Sequence, residues 1–243
     1  FFVCDDHSNK SQKDNGYQIV FLAKNKKGYQ NLVKMSSLAF TDGFYYLPRI
    51  DRKIVETYKD NLIVLSGNLY GEVPSKVLNI GENQAEEALL WWKDQFGDDF
   101  YIELMRHGQE DEDRVNLVLI QFSKKHSIPL VATNNTYYID QAGANAHDIL
   151  LCVKDGEKQA TPIGRGRGYR YGLPNREYYF KSSEEMKELF KDLPEAILNM
   201  QSISDKIESF KLARDVLLPK FDIPQKFINP CLLYTSDAAD DMA

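Results

Sequence analysis

The sequence predicts an α/β protein, and two observations support that class. Short runs of apolar, β-branched residues alternate along the chain with longer stretches whose apolar residues recur at helical spacing, and polar residues gather just after the runs. The runs are typical of buried strands, and the longer stretches are typical of amphipathic helices. Strands that alternate with helices indicate a parallel sheet, either open and doubly wound or closed into a barrel, and periodicity does not decide between the two.

The first half of the chain carries several of these elements. Residues 17–23 (YQIVFLA) predict a buried strand, and residues 28–39 predict a helix. A second strand is expected at 61–66 and a short helix at 70–79. Residues 83–96 predict an amphipathic helix, and the glycine directly after it is typical of a helix end.

The next part of the chain repeats the alternation. Strands are expected at 100–104 and 129–133, each followed by a helix, at 110–126 and 142–153. The first of these helices begins with the acidic run EDED, which suits the positive end of a helix dipole. Sites in parallel α/β folds are built at the carboxyl ends of strands, so the loops after these two strands are the first places to look for function.

After about residue 155 the composition changes. A capping-box pattern, Ser182-x-x-Glu185, predicts the start of one helix, and a second helix is expected from Pro194 to about residue 209. We therefore expect four segments: a main domain at 1–160, a Gly-, Arg- and Tyr-rich loop at 161–180, a mostly helical segment at 181–224, and a linker with a tail at 225–243.

Both ends of the sequence suggest a fragment. The chain starts with FFVC, which resembles the middle of a strand, and residues 229–243 change abruptly to small and acidic residues without periodicity. We expect that tail to be non-native and leave it out of the fold.

Composition and charge narrow the class of protein. The chain of 243 residues has 30 basic and 36 acidic side chains, and its net charge of −6 excludes the strongly basic footprint of an autonomous nucleic-acid-binding domain. Cys4, Cys152 and Cys231 lack the spacing of a metal knuckle, which favours reduced thiols in the cytoplasm. With no signal peptide and no apolar run near the roughly 20 residues that span a bilayer, we expect a soluble cytoplasmic protein without a membrane partner.

His107 is the first candidate site residue. It follows a predicted strand that carries Glu103, and one hypothesis is that it binds a metal ion. The alternative is a hydrogen-bonded loop histidine, because coordination needs three or more converging donors. The next strand ends in Asn134 and Asn135, amides that we expect to hydrogen-bond the turn, and His147 on the following helix is expected to bond a loop.

Asp5, Asp6 and His7 form the other acid–histidine cluster. Their surroundings, DDHSNKSQKDNG, are polar and rich in loop-forming residues. We therefore expect an exposed loop at this position rather than a metal site.

The segment GRGRGYRYG places Arg165, Arg167 and Arg170 among glycines and tyrosines. The donors of an arginine guanidinium match the oxygens of a phosphate, and tyrosine rings stack on bases. These three arginines are therefore candidate nucleic-acid contacts. The segment is not a P-loop, because no Lys-Ser/Thr pair follows it and no strand leads into it. The alternatives are contact with a neighbouring domain and a surface loop that touches nothing.

Several segments together resemble a known family in order and spacing: GYQNLVKMSS, LIVLSG, FYIELMRHG, PLVATNNTYYI, ANAHDILLCV, SSEEMKELF with DLPEAI, and LLPKFDIP. They are similar to the amino-terminal region of the bacterial DNA polymerase III alpha subunits, the replicative C-family polymerases, over residues 1–224. The resemblance implies a PHP (polymerase and histidinol phosphatase) domain. This is a distorted seven-stranded β/α barrel, here incomplete at the N-terminus and followed by the mostly helical start of the polymerase module.

The resemblance also implies where metal ligands would lie. His107 matches the histidine of the family pattern E-L-x-x-H. In place of T-N-D-x-H, this chain has Asn135 at the position of the acid and Tyr137 at the position of the histidine. Each replacement removes a strong donor, so we expect a degenerate site that does not hold the family's Zn²⁺ or Mn²⁺, and we assign no catalytic residue.

For the parent protein, the resemblance implies template-directed DNA synthesis from deoxynucleoside triphosphates on a primer–template, with Mg²⁺ held by carboxylates outside this chain. Expected partners are a separate proofreading exonuclease and the sliding clamp. The chain itself is expected to act as a scaffold without activity of its own. The alternatives are a PHP domain with metal-dependent 3′–5′ exonuclease activity and a free-standing PHP phosphoesterase.

Overall fold

The computed structural model describes residues 1–11, 13–164 and 166–213. The chain divides into two compact units, Phe1–Ser209 and Phe210–Ala243, and all helices and strands of the described residues lie in the first unit. In the described part of the chain, no helix is both long enough and apolar enough to cross a membrane.

Strands and helices of the described residues alternate through the first unit. The strands are β1 (Phe2–Cys4), β2 (Tyr17–Gln18), β3 (Val20–Ala23), β4 (Arg49–Asp51), β5 (Leu62–Leu65), β6 (Phe100–Leu104) and β7 (Leu130–Ala132). The helices are α1 (Lys26–Thr41), α2 (Arg52–Tyr58), α3 (Glu72–Asn79), α4 (Glu82–Phe96), α5 (Glu110–His126), α6 (Gly143–Asp155), α7 (Ser183–Leu189) and α8 (Pro194–Asp205). A short 3₁₀ helix, Gly97–Asp99, precedes β6.

These strands form two sheets, with strand orders β2-β1-β4 and β3-β5-β6-β7. Only Ile19 separates β2 from β3, and its N–H donates to the Phe1 carbonyl at 2.9 Å. One extended stretch, residues 17–23, therefore pairs with β1 in the first sheet and with β5 in the second.

The stretch 17–23 runs antiparallel to both of its neighbours and adds antiparallel pairing to the parallel strands that the sequence predicts. The reason lies in the connection. A loop joins β1 to β2, and antiparallel neighbours can be joined by a loop, whereas parallel strands need a longer crossover. Parallel pairing holds between β1 and β4 and along β5, β6 and β7, so the fold is the mixed α/β architecture that the sequence predicts.

The carboxyl ends of β5, β6 and β7 meet at one edge of the second sheet. Leu104 at the end of β6 lies beside Ala132 at the end of β7, so the loops that follow these strands start side by side. Every residue of β6 and β7 is buried, as expected for parallel strands covered on both faces. This edge carries the candidate site.

A large apolar core supports that edge. Met35, Trp92 and Phe100, from α1, α4 and β6, are fully buried in it. The indole N–H of Trp92 donates to Glu72 Oε2 at 2.8 Å, which satisfies the polar atom that this ring carries into the core.

Helices α7 and α8 belong to the same compact unit. Phe190, Leu193 and Ala196 join the main core, and the side-chain amide of Asn199 donates to the Leu130 carbonyl of β7 at 2.8 Å. Helices α7 and α8 therefore lie in the same compact unit as the two sheets, and the domain boundaries that the sequence predicts stay a prediction. Helix α8 packs on β7 because this strand ends its sheet, and an uncovered edge strand leaves backbone groups unpaired.

The sequence predicts most of these elements to within a few residues. It misses β4 and α2, which are short and rich in charged residues. Their signal is Asp51, whose Oδ1 accepts the Ile54 N–H at 3.1 Å and caps α2. Cys4 and Cys152 are free and buried, as expected for reduced thiols, and residues 214–243, with Cys231 and the predicted tail, lie outside the described residues.

Candidate functional site

His107 occupies the loop after β6, where the sequence predicted a candidate site, and its side chain is fully buried. Its Nδ1 lies 2.7 Å from Glu112 Oε1, and its backbone N–H donates to Glu112 Oε2 at 2.6 Å. Glu112 belongs to the first turn of α5. The helix that follows the loop therefore fixes the orientation of the imidazole.

The second ring nitrogen of His107 is also engaged. Its Nε2 accepts the backbone N–H of Asn135 at 3.2 Å, which places the loop after β7 directly against the loop after β6. Because Nε2 accepts, the ring proton is assigned to Nδ1, which donates to Glu112. A metal ion at Nε2 would have to displace the Asn135 N–H.

Tyr178 forms a wall of the site. Its ring stacks on the His107 ring with centroids 4.3 Å apart and planes 7° from parallel. Its hydroxyl accepts from Gln109 Nε2 at 2.6 Å. Burial and the nearby Glu112 carboxylate raise the pKa of Tyr178, so the phenol stays neutral at physiological pH.

Glu103 points inward from β6 and is 5% exposed. Its Oε1 accepts from the Thr133 hydroxyl at 2.6 Å, while its Oε2 has no hydrogen-bond partner among the described residues. Burial raises the pKa of Glu103, and the hydrogen bond from Thr133 opposes that rise in part. This carboxyl group on β6 thus bonds Thr133, the residue that follows β7.

A cleft opens beside these residues in two parts that share Gln18, Asn68 and Asn135. One part, of about 430 Å³, reaches Glu103. The other, of about 210 Å³, is lined by four tyrosines: Tyr70, Tyr137, Tyr171 and Tyr178. Amides and phenols, which dominate this lining, are weak ligands for a catalytic metal ion.

Tyr137, at the position where the family pattern has a histidine, lies on the rim of this cleft and is 49% exposed. Its ring is edge-to-face with Tyr178 at 5.9 Å and lies 5.4 Å from the His147 ring. His147 also contacts the ring of Tyr138 at 5.6 Å. The helix histidine for which we expected a loop hydrogen bond therefore packs among aromatic rings.

The exposed loop predicted for Asp5, Asp6 and His7 is corrected at His7, which is half-buried. Its Nδ1 lies 2.6 Å from Asp51 Oδ2, because β1 and β4 are parallel neighbours and the loop after β1 starts beside Asp51, the last residue of β4. The ligand atoms of Asp6, His7 and Asp51 lie within 4.8 Å of one another, so this group could hold a metal ion. Asp51 also caps α2, which gives the same contacts a structural role.

Arg170 has a structural partner, which corrects its assignment as a nucleic-acid contact. Its guanidinium forms a two-point ion pair with Asp148, at 2.6 and 2.9 Å, and donates to the Thr161 carbonyl at 2.8 Å. The side chain is buried, so its donors are not available to a phosphate. Arg167 is exposed and remains a candidate contact, while Arg165 lies outside the described residues.

Sequence reasoning missed Glu112 and Tyr178. We expected Glu112 only to interact favourably with the dipole of α5. Its position in the first turn of that helix, just after the His107 loop, was the signal that its side chain could reach His107. Tyr178 is far from His107 along the chain, and its only sequence signal is its place in the tyrosine-rich segment.

The class of protein follows from the fold, the position of the site and comparison with known families. Residues 4–107 match the PHP domain family, and this range ends at His107. The described residues have the mixed α/β fold with parallel strands that this class implies. The fold and this match thus indicate a PHP domain over residues 4–107.

Curated relatives extend the comparison over most of the chain. It is 40% identical over 90% of its length to DNA polymerase III subunit alpha of Borreliella burgdorferi, and it covers 19% of that protein. The identity to DNA polymerase III subunit alpha is 39% over 83% of this chain for Campylobacter jejuni and 37% over 85% for Thermus aquaticus, covering 17% and 16% of those proteins. The chain is therefore similar over most of its length to DNA polymerase III alpha subunits, and it spans less than a fifth of the length of these relatives.

Proposed function

We propose that this chain is the PHP-domain part of the catalytic alpha subunit of a bacterial replicative DNA polymerase. The parent protein adds deoxynucleoside triphosphates to a primer–template DNA, using Mg²⁺ held by carboxylates outside this chain. Support comes from the 40% identity over 90% of the chain to a protein named DNA polymerase III subunit alpha. Within the parent, this region serves as a scaffold and does not hydrolyse phosphodiesters.

One observation carries the scaffold proposal: the loop after β7 offers His107 a backbone N–H instead of a partner ligand. Metal-dependent hydrolysis needs at least three strong donors around an ion with an open position. Where the family pattern has an acid and a histidine, Asn135 and Tyr137 supply an amide and a phenol. The strong donors at the cleft are bound to protein groups: Glu103 to Thr133, Glu112 to His107, and His107 to the Asn135 N–H. They therefore do not converge on one open ion site.

Metal content and nuclease activity of the intact parent protein test this proposal. Purified without the separate exonuclease, the parent should extend primers, contain far less than one Zn²⁺ or Mn²⁺ per chain and leave single-stranded 3′ ends intact. Changing Asn135→Asp together with Tyr137→His adds two donors and should increase bound metal. The matched control, Asn134→Asp, adds a carboxylate at the neighbouring position and should not.

Stoichiometric metal that His107→Ala removes, accompanied by 3′–5′ exonuclease activity, would establish the nuclease alternative instead. Metal that persists in His107→Ala and is lost in Asp6→Asn would lie in the Asp6–His7–Asp51 group. That result would leave the cleft a scaffold and place an ion at the ends of β1 and β4.

The proposal extends to partners and location. We propose that the parent works in the cytoplasm with the sliding clamp, and that a separate proofreading exonuclease docks on this region. Co-purification of the two proteins, with and without residues 1–209 of this chain, checks the docking surface. Equal recovery in both cases would contradict it.

A further inference from the structure

We propose that the tyrosine-lined part of the cleft holds one unpaired nucleobase of a DNA strand. The choice of DNA rests on the proposed function, whereas base binding itself rests on the residues of the cleft. Unpaired bases are recognised by stacking on aromatic faces and by hydrogen bonds along their edges. Aromatic rings and side-chain amides both line this part of the cleft.

The aromatic faces come from three separate segments. Tyr70 follows β5, Tyr137 follows β7, and Tyr171 belongs to the Arg- and Tyr-rich loop, yet all three line the same part of the cleft. They are 53%, 49% and 55% exposed. A tyrosine normally gains stability by burying its ring, so three half-exposed rings around one cleft offer surface for a flat ligand.

The back of the cleft is rigid. Tyr178 stacks on His107, and His107 is hydrogen-bonded at both ring nitrogens. Gln109 holds the Tyr178 hydroxyl at 2.6 Å. A wall fixed before the ligand arrives costs little further ordering on binding, which favours affinity.

The edges of the cleft carry side-chain amides. Gln18, Asn68 and Asn135 line it, and each amide can both donate and accept hydrogen bonds. Asn68 is positioned by its Oδ1, which accepts the Tyr70 N–H at 2.9 Å. Every base edge presents both donors and acceptors, so these three amides can form hydrogen bonds with any base and should not select strongly for one of them.

Charge and size favour the base over the phosphate. Among the described residues that line this part, Glu112 is the one charged group, and it is bound to His107. A phosphate would find no cation inside, whereas the exposed Arg167 lies outside on the same loop as Tyr171. The tyrosine-lined part, about 210 Å³, is smaller than the pockets of about 300–1,000 Å³ that hold drug-sized ligands, so it suits a ligand as small as a single base.

Fluorescence anisotropy with the 243-residue chain tests the inference. The probes are a short labelled oligothymidylate and an abasic oligonucleotide with the same number of phosphates. We expect the abasic probe to bind about tenfold more weakly, from the usual worth of a stacked base. Replacing Tyr137→Ala and Tyr171→Ala together should weaken the oligothymidylate by a similar factor and leave the abasic probe unchanged.

Tyr169→Ala is the matched control, since Tyr169 is 52% exposed on the same loop but does not line the cleft, and it should leave both affinities unchanged. The double variant Tyr137→Phe with Tyr171→Phe keeps the rings and should keep binding, which separates lost stacking from misfolding. Equal affinity for the two probes, or an equal loss in Tyr169→Ala, overturns the inference. Primer extension by the parent is a separate readout: if it fails while the probes still differ, the proposed function falls and base binding stands.

Discussion

Four residues around His107 show how one side chain can join separate segments of a fold. Glu112 reaches it from α5, the Asn135 N–H reaches it from the loop after β7, and Tyr178 stacks on its ring. The side-chain amide of Asn175 also donates to its carbonyl at 2.5 Å. Buried polar groups that are satisfied in this way specify one arrangement, because any other arrangement leaves a donor or acceptor unpaired.

Arg170 shows why residue roles are harder to predict than residue positions. From the sequence alone, an arginine among tyrosines and glycines can either contact a phosphate or form an internal ion pair. The ion pair forms here, and its partner, Asp148, lies on a different element. Tyr178 and His107 are likewise brought together only by the fold. By contrast, the position of His107 after β6 followed from the sequence, because it needed only the strand and the loop.

Glu103 gives the prediction at this scale. Its pKa is raised in the folded chain from an ordinary value of 4.5, so the folded state holds this proton more tightly than the unfolded state. The resulting stabilisation is fully present below about pH 4.5 and is lost as the pH rises through the higher folded-state pKa. The side chain introduced by Glu103→Gln cannot lose a proton, so this variant does not undergo that loss of stability. As the pH rises from 4.5 to 7, the free energy of unfolding of the variant should therefore increase relative to that of wild type.

Urea unfolding of the two proteins across that pH range measures the difference. Thr133→Val removes the hydroxyl that donates to the Glu103 carboxylate and should steepen the loss of stability with pH. Parallel pH profiles for wild type and Glu103→Gln would contradict the prediction.

Among the elements, β6 and α5 have the bounds that the sequence predicts, because their signals are local and agree with one another. FYIEL is a continuous buried run, and the acidic first turn of α5 marks where its helix begins. The elements β4 and α2 lack such a signal, since β4 carries two charged residues in three positions and its burial comes from tertiary partners. Arg49, for example, is buried because its guanidinium donates to carbonyls of Asn9, Asp14 and Gly43.

Helix α7 gives the prediction at the scale of elements. Its capping box is complete: the Ser182 hydroxyl accepts the Glu185 N–H at 3.2 Å, and Glu185 Oε2 accepts the Ser182 N–H at 2.7 Å. Ser182→Ala should lower the free energy of unfolding by about 1 kcal/mol, because an N–H at the helix start loses its acceptor. Ser183→Ala, one position later and also exposed, should change it little, and chemical denaturation compares the two.

An equal loss in both variants would show that the capping box does not stabilise the unit. A loss of stability in Ser182→Ala that lies between these two outcomes would mean that part of the stabilisation comes from Glu185, which also accepts from the Tyr179 hydroxyl at 2.8 Å.

At the scale of the whole molecule, the sequence-based expectation and the structure differ most for residues 181–209. The resemblance places a new module there, whereas Phe190, Leu193 and Ala196 pack in the same core as the strands. Phe190 is fully buried in that core, and the Arg106 guanidinium lies 4.7 Å from its ring centroid. Arg106 in turn pairs with Asp192 at 2.6 and 2.8 Å, which ties the loop after β6 to the loop between α7 and α8.

This packing predicts that Phe1–Ser209 unfolds as one cooperative unit, with α7 and α8 included. Phe190→Ala should lower its free energy of unfolding by about 3–5 kcal/mol, because the truncation leaves a cavity in a core shared by β6, α5 and α8. The matched control is Phe180→Ala, since Phe180 is 72% exposed and should change stability by less than about 0.5 kcal/mol. Denaturation followed both by tryptophan fluorescence, which reports on α4, and by far-UV circular dichroism should give coincident transitions in all three proteins. Separate transitions, or a Phe190→Ala effect seen by only one probe, would make α7 and α8 an independent module after all.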